Sequence, residues 1–306
     1  MSVKEDYIYM KLIGIGDNVC DVYLNMSEMF PGGQAMNVAV FAKEQGVKSA
    51  FMGVFGDDEV AAHNQKILSE LGVDHSHCRH YHGANGFACV NLIDGERVFL
   101  GSNKCGVLRD FPLILTNDDL TYISQFSVAH ISNNAYFDDQ IEKLFKLGIP
   151  ISYDFSNQWI NNIKWLESIA QFCTFGFLSL PDDSSLKEIR EYMEQIHSFG
   201  CKMIIATNGS KGAYFYDGKS LIFQPSNYVK AIDTLGAGDS YASTILVNYF
   251  KSLEDNLSEM SNDYEYYVAK IKNAMEKAAS FSANVCLCNG AFGHSKKINP
   301  DKYKIL

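Results

Sequence analysis

Proline is scarce, six in 306 residues. With so few, and with no Pro/Ser-rich linker, low-complexity tract or internal repeat, nothing marks a cut between domains, and residues 1–306 read as a single domain. Long apolar runs are missing too. No stretch approaches the roughly 18–20 consecutive apolar residues that cross a bilayer. The opening Met1-Ser2-Val3-Lys4-Glu5-Asp6 lacks the basic segment, apolar core and cleavage site of an export leader. Basic charge is in deficit: 26 Lys+Arg against 36 Asp+Glu give a formal net charge of −10. Such a surface repels phosphodiester backbones and anionic lipid, which speaks against a nucleic-acid or membrane-surface role while leaving room for a small anion in a local pocket. The eight cysteines (20, 78, 89, 105, 173, 201, 286, 288) include no C-x-x-C and one C-x-C, Cys286 and Cys288. These two lie in an apolar helical run and read as buried free thiols rather than a metal site. The expectation is a reduced, cytoplasmic protein of enzyme size.

What is present is alternation. The chain is 47% apolar and 20% charged, and short apolar runs alternate with longer helical patterns, as in a mostly parallel α/β sheet. Strands are expected at Lys11–Gly16, Ser49–Phe55, Ser127–Ser132, Pro150–Phe155, Cys173–Leu180 and Lys202–Thr207. Ala35, Val38, Ala39 and Ala42 form one apolar helix face, and Val60, Ile67, Leu68 and Leu71 form another that stops at Gly72. Two hairpins interrupt the alternation, one turning at Asp94-Gly95 and one at Asp217-Gly218. In the first, Phe87, Cys89 and Asn91 share a mixed face. That face suggests a strand pair leaning out from the main body, and the three residues are expected to meet the substrate. Two helices, about Ala237–Phe250 and Tyr264–Cys288, close the chain.

Three glycine segments carry the chemistry. In Asp233-Thr234-Leu235-Gly236-Ala237-Gly238-Asp239-Ser240, small residues at 236–238 let the backbone approach a ligand. Their N–H groups would be unpaired at a helix start, an anion hole. Asp239 beside it suits the removal of a proton from an attacking hydroxyl, although a carboxylate is also welcome in any first helical turn. In Phe30-Pro31-Gly32-Gly33-Gln34-Ala35-Met36-Asn37, Gly32 and Gly33 allow close approach to a polar ligand and Asn37 adds a directional donor and acceptor. Upstream, Asp17 and Asp21 stand just past the first strand, at the sheet edge where ligands bind. Their carboxylates suit sugar hydroxyls, and turn-forming Asp and Asn read equally well there. The third segment, Thr207-Asn208-Gly209-Ser210-Lys211-Gly212, is a small polar turn able to meet phosphate oxygens. The dinucleotide fingerprint is broken by Val19, and no P-loop, H-E-x-x-H or G-x-S-x-G occurs. His75, His77, His80 and His82 sit in a polar connection and read as a solvated loop.

In this order the segments resemble the ribokinase-like (PfkB) carbohydrate kinases. Gly32-Gly33-x-Ala35-x-Asn37 followed by Gly46 and Gly56 is similar to that family's N-terminal signature, and Asp233-Thr234-x-Gly236-Ala237-Gly238-Asp239 to its C-terminal one. The resemblance, from about Leu12 to Phe292, implies a three-layer α/β/α fold with a mostly parallel central sheet and a small β-sheet lid, about residues 19–30 and 78–106. It implies transfer of phosphate from ATP, with Mg2+, to a primary alcohol. Asp239 is then the base and the 236–238 amides the anion hole. Asp21, Gly32, Gly33 and Asn37 hold the sugar. Ser179, Thr207, Gly209, Gly212 and Asn284 line the nucleotide site. Lid pairing makes a homodimer an expectation. Within the family, Gly16-Asp17-Asn18-x-x-Asp21-x-Tyr23, Asp154-Phe155-Ser156-Asn157-Gln158-Trp159 and Ser179-x-Pro181 are similar to fructoselysine 6-kinases. Their substrate is an amine-linked 1-deoxyfructose, which would favour an acidic pocket mouth; Asp17 is the candidate.

The chain departs from the family where many members carry Asn-x-x-Glu near the metal; here Ser179-Leu180-Pro181-Asp182 stands, leaving Asp182 to orient metal-bound water. Val19 replaces the Asn of ribokinases, against ribose as substrate. Alternatives are a fructokinase or another sugar or nucleoside kinase of the family, and a non-catalytic sugar-binding regulator on the same fold.

Overall fold

The computed structural model describes residues 10–255 and 264–303; the leader expectation at residues 1–6 lies outside them. In chain order the strands and helices are β1 (Lys11–Gly16), β2 (Val19–Tyr23), β3 (Glu28–Gly32), α1 (Gln34–Glu44), β4 (Lys48–Phe55), α2 (Glu59–Leu71), β5 (Arg79–His80), β6 (Gly86–Ile93), β7 (Glu96–Ser102), α3 (Val107–Asp110), α4 (Asn117–Ile123), β8 (Val128–Ser132), α5 (Ile141–Leu147) and β9 (Ile151–Asp154). After these come α6 (Ile163–Ala170), β10 (Phe175–Ser179), α7 (Leu186–Ser198), β11 (Met203–Thr207), β12 (Ala213–Tyr216), β13 (Leu221–Gln224), α8 (Ala237–Asp255), α9 (Tyr264–Val285) and β14 (Lys296–Lys297).

A nine-stranded sheet runs β13-β12-β11-β10-β9-β8-β1-β4-β5. It is parallel from β11 to β5, with the hairpin strands β12 and β13 antiparallel at one edge. Its strands read as continuous apolar runs because both faces are covered. Alternate residues go to opposite layers: Ile13 and Ile15 pack with α4, α5, α6 and α7, whereas Leu12 packs with α1, α8 and α9. Local chemistry sets the ends of α2: Asp58 accepts from the N–H groups of Val60 and Ala61, and Gly72 closes the helix in a left-handed conformation. The expected C-x-C thiols are corrected by position. The last helix ends at Val285, so Cys286 and Cys288 lie beyond it, half-buried, and all eight cysteines are free.

The lid is a second sheet, β14-β3-β2-β6-β7. The sequence placed β2, β3, β6 and β7 in it. It did not foresee β14, and the segment 78–106 begins too early, because β5 pairs with β4 in the main sheet. The pleat also overturns the expected substrate face. Asp21 is paired with Ala88 and Tyr23 with Val90, while Cys20 is paired with Phe87 and Val22 with Cys89. Paired residues share a face, so Phe87, Cys89 and Asn91 point away from Asp21. Phe87 and Cys89 join Cys20, Val22, Met29, Val60 and Tyr303 in a separate apolar cluster, and Cys89 Sγ donates to the Tyr303 carbonyl at 3.0 Å.

Candidate active site

Five parallel strands end side by side, and each hands the chain to a polar residue: β1 to Asp17, β8 at Ser132, β9 at Asp154, β10 at Ser179 and β11 at Thr207. Two helices start over this edge. The first, α1, begins after Gly33, whose φ of 109° and 2.6 Å approach of an added Cβ to the Asp17 carbonyl require glycine. Asp17 fixes that start: Oδ2 accepts from Gln34 N at 3.0 Å, and Oδ1 from Ala35 N at 3.1 Å and Ser132 Oγ at 2.6 Å. The expected role of Asp17 at an acidic pocket mouth is therefore corrected. It is a buried helix cap with three of its four or so acceptor positions taken.

The second helix, α8, starts after the turn at Gly236, which has φ 77° and leaves only 2.7 Å between an added Cβ and Ala291. Ala237 N–H bonds the Thr234 carbonyl at 3.3 Å, and Ser240 N–H bonds the Gly236 carbonyl at 2.8 Å. The intervening N–H groups of Gly238 and Asp239 are the orphans of a helix start. Gly238 is exposed, and a Cβ there would meet nothing within 4 Å. An anion can reach these amides.

Asp239 lies on the first turn of α8, 8% exposed, and its Oδ2 accepts from Asn37 Nδ2 at 2.7 Å. Burial, then the charge of Asp154, pushes its carboxyl up to about 8; the Asn37 hydrogen bond acts in the opposite direction. Asp154 is pushed up to about 6, first by burial, against the bond from Ser156 N–H. Asp21 also reaches about 6 through burial, although the Arg97 guanidinium draws it down. Asn37 Oδ1 is buried without a hydrogen-bond partner. It faces the glycine strip: a Cβ on Gly32 would lie 2.9 Å from Asp21 Oδ2 and 3.9 Å from Asn37 Oδ1. Asp21, Gly32, Asn37 and Asp239 are thus brought together.

The lid reaches the same place through Arg97. Its Nη1 lies 3.4 Å from Asp21 Oδ1 and its Nε 3.9 Å from Asp233 Oδ1. Asp233 anchors the loop before α8 by accepting from Tyr23 Oη at 2.5 Å, Gly290 N at 2.8 Å and Leu235 N at 3.0 Å. Sequence reasoning missed Arg97, Tyr23, Asp233, Gln34 and Asp154 as site residues. For Arg97 a signal existed. A two-residue turn at Asp94-Gly95 pairs Ile93 with Glu96 and Leu92 with Arg97, which sets Arg97 on the face of Val90 and Ala88.

Toward the hairpin edge, Ser179 is exposed at the end of β10, and Thr207 Oγ1 donates to the Leu178 carbonyl at 3.2 Å. Gly209 opens a short turn that is closed by Asn208 N–H on the Gly212 carbonyl at 2.8 Å. Lys211 Nζ donates to the Asp182 carbonyl, and the Asp182 side chain is exposed. Asn284 is exposed on the last turn of α9. The residue of that helix that touches the loop is Ser282, which donates to the Ala237 carbonyl at 2.9 Å and lies about 200° around the axis from Asn284. Among the described residues no group of three or more His, Cys, Asp or Glu stands ready to hold a metal. No described helix is long and apolar enough to cross a membrane.

Sequence comparison places this geometry. The pattern of the pfkB family carbohydrate kinases matches residues 3–291. The chain is 35% identical over 286 residues to fructosamine kinase FrlD of Bacillus subtilis, across 93% of this chain and 94% of that one. It is 32% identical over 238 residues to fructoselysine 6-kinase of Escherichia coli, across 78% and 88%. Among solved structures, fructokinase with bound ATP from Xylella fastidiosa superimposes with a TM-score of 0.74 at 18% identity, covering 93% of this chain and 94% of that one. Because the match spans both glycine turns and the lid strands between them, the chain belongs to the pfkB family of carbohydrate kinases.

Proposed function

We propose that this enzyme transfers the terminal phosphate of ATP to the C6 hydroxyl of a fructosamine, an amine-linked 1-deoxyfructose such as fructoselysine. The observation that carries the reading is Asp239, a buried carboxyl held by Asn37 at the start of a helix where the Gly238 and Asp239 amides are free. The similarity to a fructosamine kinase and a fructoselysine 6-kinase supports the sugar.

The sugar lies against Gly32 and Gly33, with its hydroxyls on Asp21 and on the unpartnered Oδ1 of Asn37. Asp239 accepts the C6 proton as that oxygen attacks phosphorus. The free N–H groups of Gly238 and Asp239 receive the phosphoryl oxygens and offset the charge that develops on them, while Ala237 N–H, expected in the same hole, is held by the Thr234 carbonyl and shapes the turn. Ser179, Thr207, Gly209 and Gly212 border the nucleotide, whereas Asn284 faces away from the loop. A lone exposed carboxylate fits an Mg2+ that arrives with phosphates, because this ion keeps several waters and takes one or two carboxylates. Asp182 would hold it through water, and the ion would supply charge neutralisation on the phosphates. Arg97 closes the lid on the sugar by bridging Asp21 and Asp233.

Free fructose is the second reading, favoured by the structural likeness to a fructokinase. A panel of fructoselysine, fructose, ribose and adenosine with ATP decides between them. The proposal expects the highest kcat/KM on fructoselysine and is overturned by a preference for fructose. We further propose that the unpaired edge strand β7, with Val98, Phe99 and Leu100 at 45%, 64% and 47% exposure, pairs with a second copy of the chain.

A further inference from the structure

Three carboxyl groups, Asp17, Asp154 and Asp239, converge on the sugar side of the site, and each is buried. Asp154 and Asp17 both act to keep the Asp239 proton in place, and Asp17 does the same to Asp154. Among the described residues none of the three has an ion pair. The guanidinium that enters the site, Arg97, goes to Asp21 and Asp233 instead. Burying carboxylates together without a cation is costly, and such a cluster is relieved by a ligand that brings the charge.

The hydrogen bonds single out one of the three. Asp17 is occupied as the cap of α1. Asp239 faces the hydroxyl to be deprotonated. Asp154 is held but not filled. Its Oδ1 accepts from Ser156 N at 2.7 Å and its Oδ2 from Gln34 Nε2 at 3.1 Å, while Gln34 Oε1 accepts from Asn134 Nδ2 at 2.9 Å. Two donors leave about two of the four acceptor positions of a carboxylate open. An independent feature marks the cleft as built for a polar ligand: Asn37, 1% exposed, presents an unpartnered Oδ1 toward the glycine strip. The rim beside Asp154 is open to solvent at Asn134 and Tyr136. Cys105 Sγ lies 3.9 Å from the Asn134 carbonyl, and Tyr136 Oη lies 3.5 Å from the Lys104 carbonyl.

We propose that Asp154, oriented by Gln34 and Asn134, is the specificity-determining residue that receives the secondary ammonium of an amine-linked sugar and so selects it over the neutral hexose. The inference rests on the fructosamine reading and extends it to one side chain. It carries a consequence for the base. A cation on Asp154 cancels one of the two carboxylates that oppose ionisation of Asp239, the other being Asp17, while Arg97 already favours ionisation. Binding of the amine therefore helps to ionise the base, and binding of fructose does not.

The test is steady-state kinetics of the wild-type protein and Asp154→Asn on fructoselysine and on fructose, with thermal melting as a fold control. Hydrogen bonds to charged groups correspond to roughly 10- to 100-fold in binding. Asp154→Asn is expected to raise the KM for fructoselysine by about that factor, with kcat changed much less, and to lower the fructoselysine-to-fructose preference at least tenfold. Equal losses on both sugars, or an unchanged preference, overturn the assignment of Asp154. Wild-type protein inactive on fructoselysine overturns the substrate reading itself and the inference with it. As a second measurement, the acid limb of the wild-type kcat profile on fructoselysine is expected at least one pH unit below that of kcat/KM. The two limbs should coincide on fructose, and coincidence on both sugars also counts against the proposal.

Discussion

The amide of Asn37 donates to Asp239 across 2.7 Å, so a residue of the first helix holds the carboxyl of a helix that begins some two hundred positions later. The bond does two things. It fixes the orientation of the carboxyl, and it opposes the burial that keeps Asp239 protonated.

Asp239→Asn is therefore expected to keep the fold and the sugar site and to lose turnover by a factor on the order of 10²–10⁴, the usual cost of removing a positioned base. Initial rates beside equilibrium binding of the sugar check this; turnover near the wild-type level would end the assignment.

The pH dependence follows from the same burial. A base held near 8 in the free enzyme is ionised only above that pH, so kcat/KM on fructose should climb with pH up to about 8 and level off. Stability should move the other way. The folded-state values of Asp21, Asp154 and Asp239 all lie above the roughly 3.9 of an unfolded aspartate. Their contribution is complete below about pH 4. It is lost as pH rises through about 6 for the first two and about 8 for the third. At pH 8.5 and above, Asp239→Asn should melt later than wild type, by an amount of about 0.5–2 kcal/mol. Melting curves from pH 5 to 9 would expose an opposite trend.

Glycines 236 and 238 should separate structure from function. Gly236→Ala forces a side chain into φ 77° and against Ala291, and should destabilise by about 1–3 kcal/mol. Gly238→Ala meets no protein atom and should melt like wild type while the KM for ATP rises, since the methyl group occupies the space a phosphate enters. Equal melting losses in the two variants would contradict this division.

Arg97→Leu should leave Asp21 without the one cation that lowers its proton affinity. Asp21 then stays protonated nearer to neutral pH, and the KM for the sugar should rise roughly tenfold. Hydrogen exchange along β7 should quicken, and an unchanged rate would mean that Arg97 does not fasten the lid.

Phe99→Lys tests the lid edge. If β7 pairs with a second copy, sedimentation should show a dimer for the wild-type protein and a shift toward monomer for the variant. A wild-type protein that sediments as a monomer at every concentration would remove the proposal.

The sequence alone determined the main sheet apart from β5, both hairpins and the two glycine turns. Buried parallel strands write themselves as short apolar runs, and a tight approach of backbone to ligand demands glycine wherever it occurs. It also brought Asp239 to notice, because a carboxylate beside amides that would hold an anion is repelled by that anion unless it has a role. Tertiary structure decided which way side chains point and which acids meet. The face of Phe87, Cys89 and Asn91 was invisible until β6 took its register beside β2, since a strand's alternation is symmetric until a neighbour breaks the tie. Asp17 and Asp154 are indistinguishable as letters at the ends of strands. One became a helix cap and the other an open acceptor only when α1 settled over both, because the pairing of a buried carboxylate depends on donors distant in the chain.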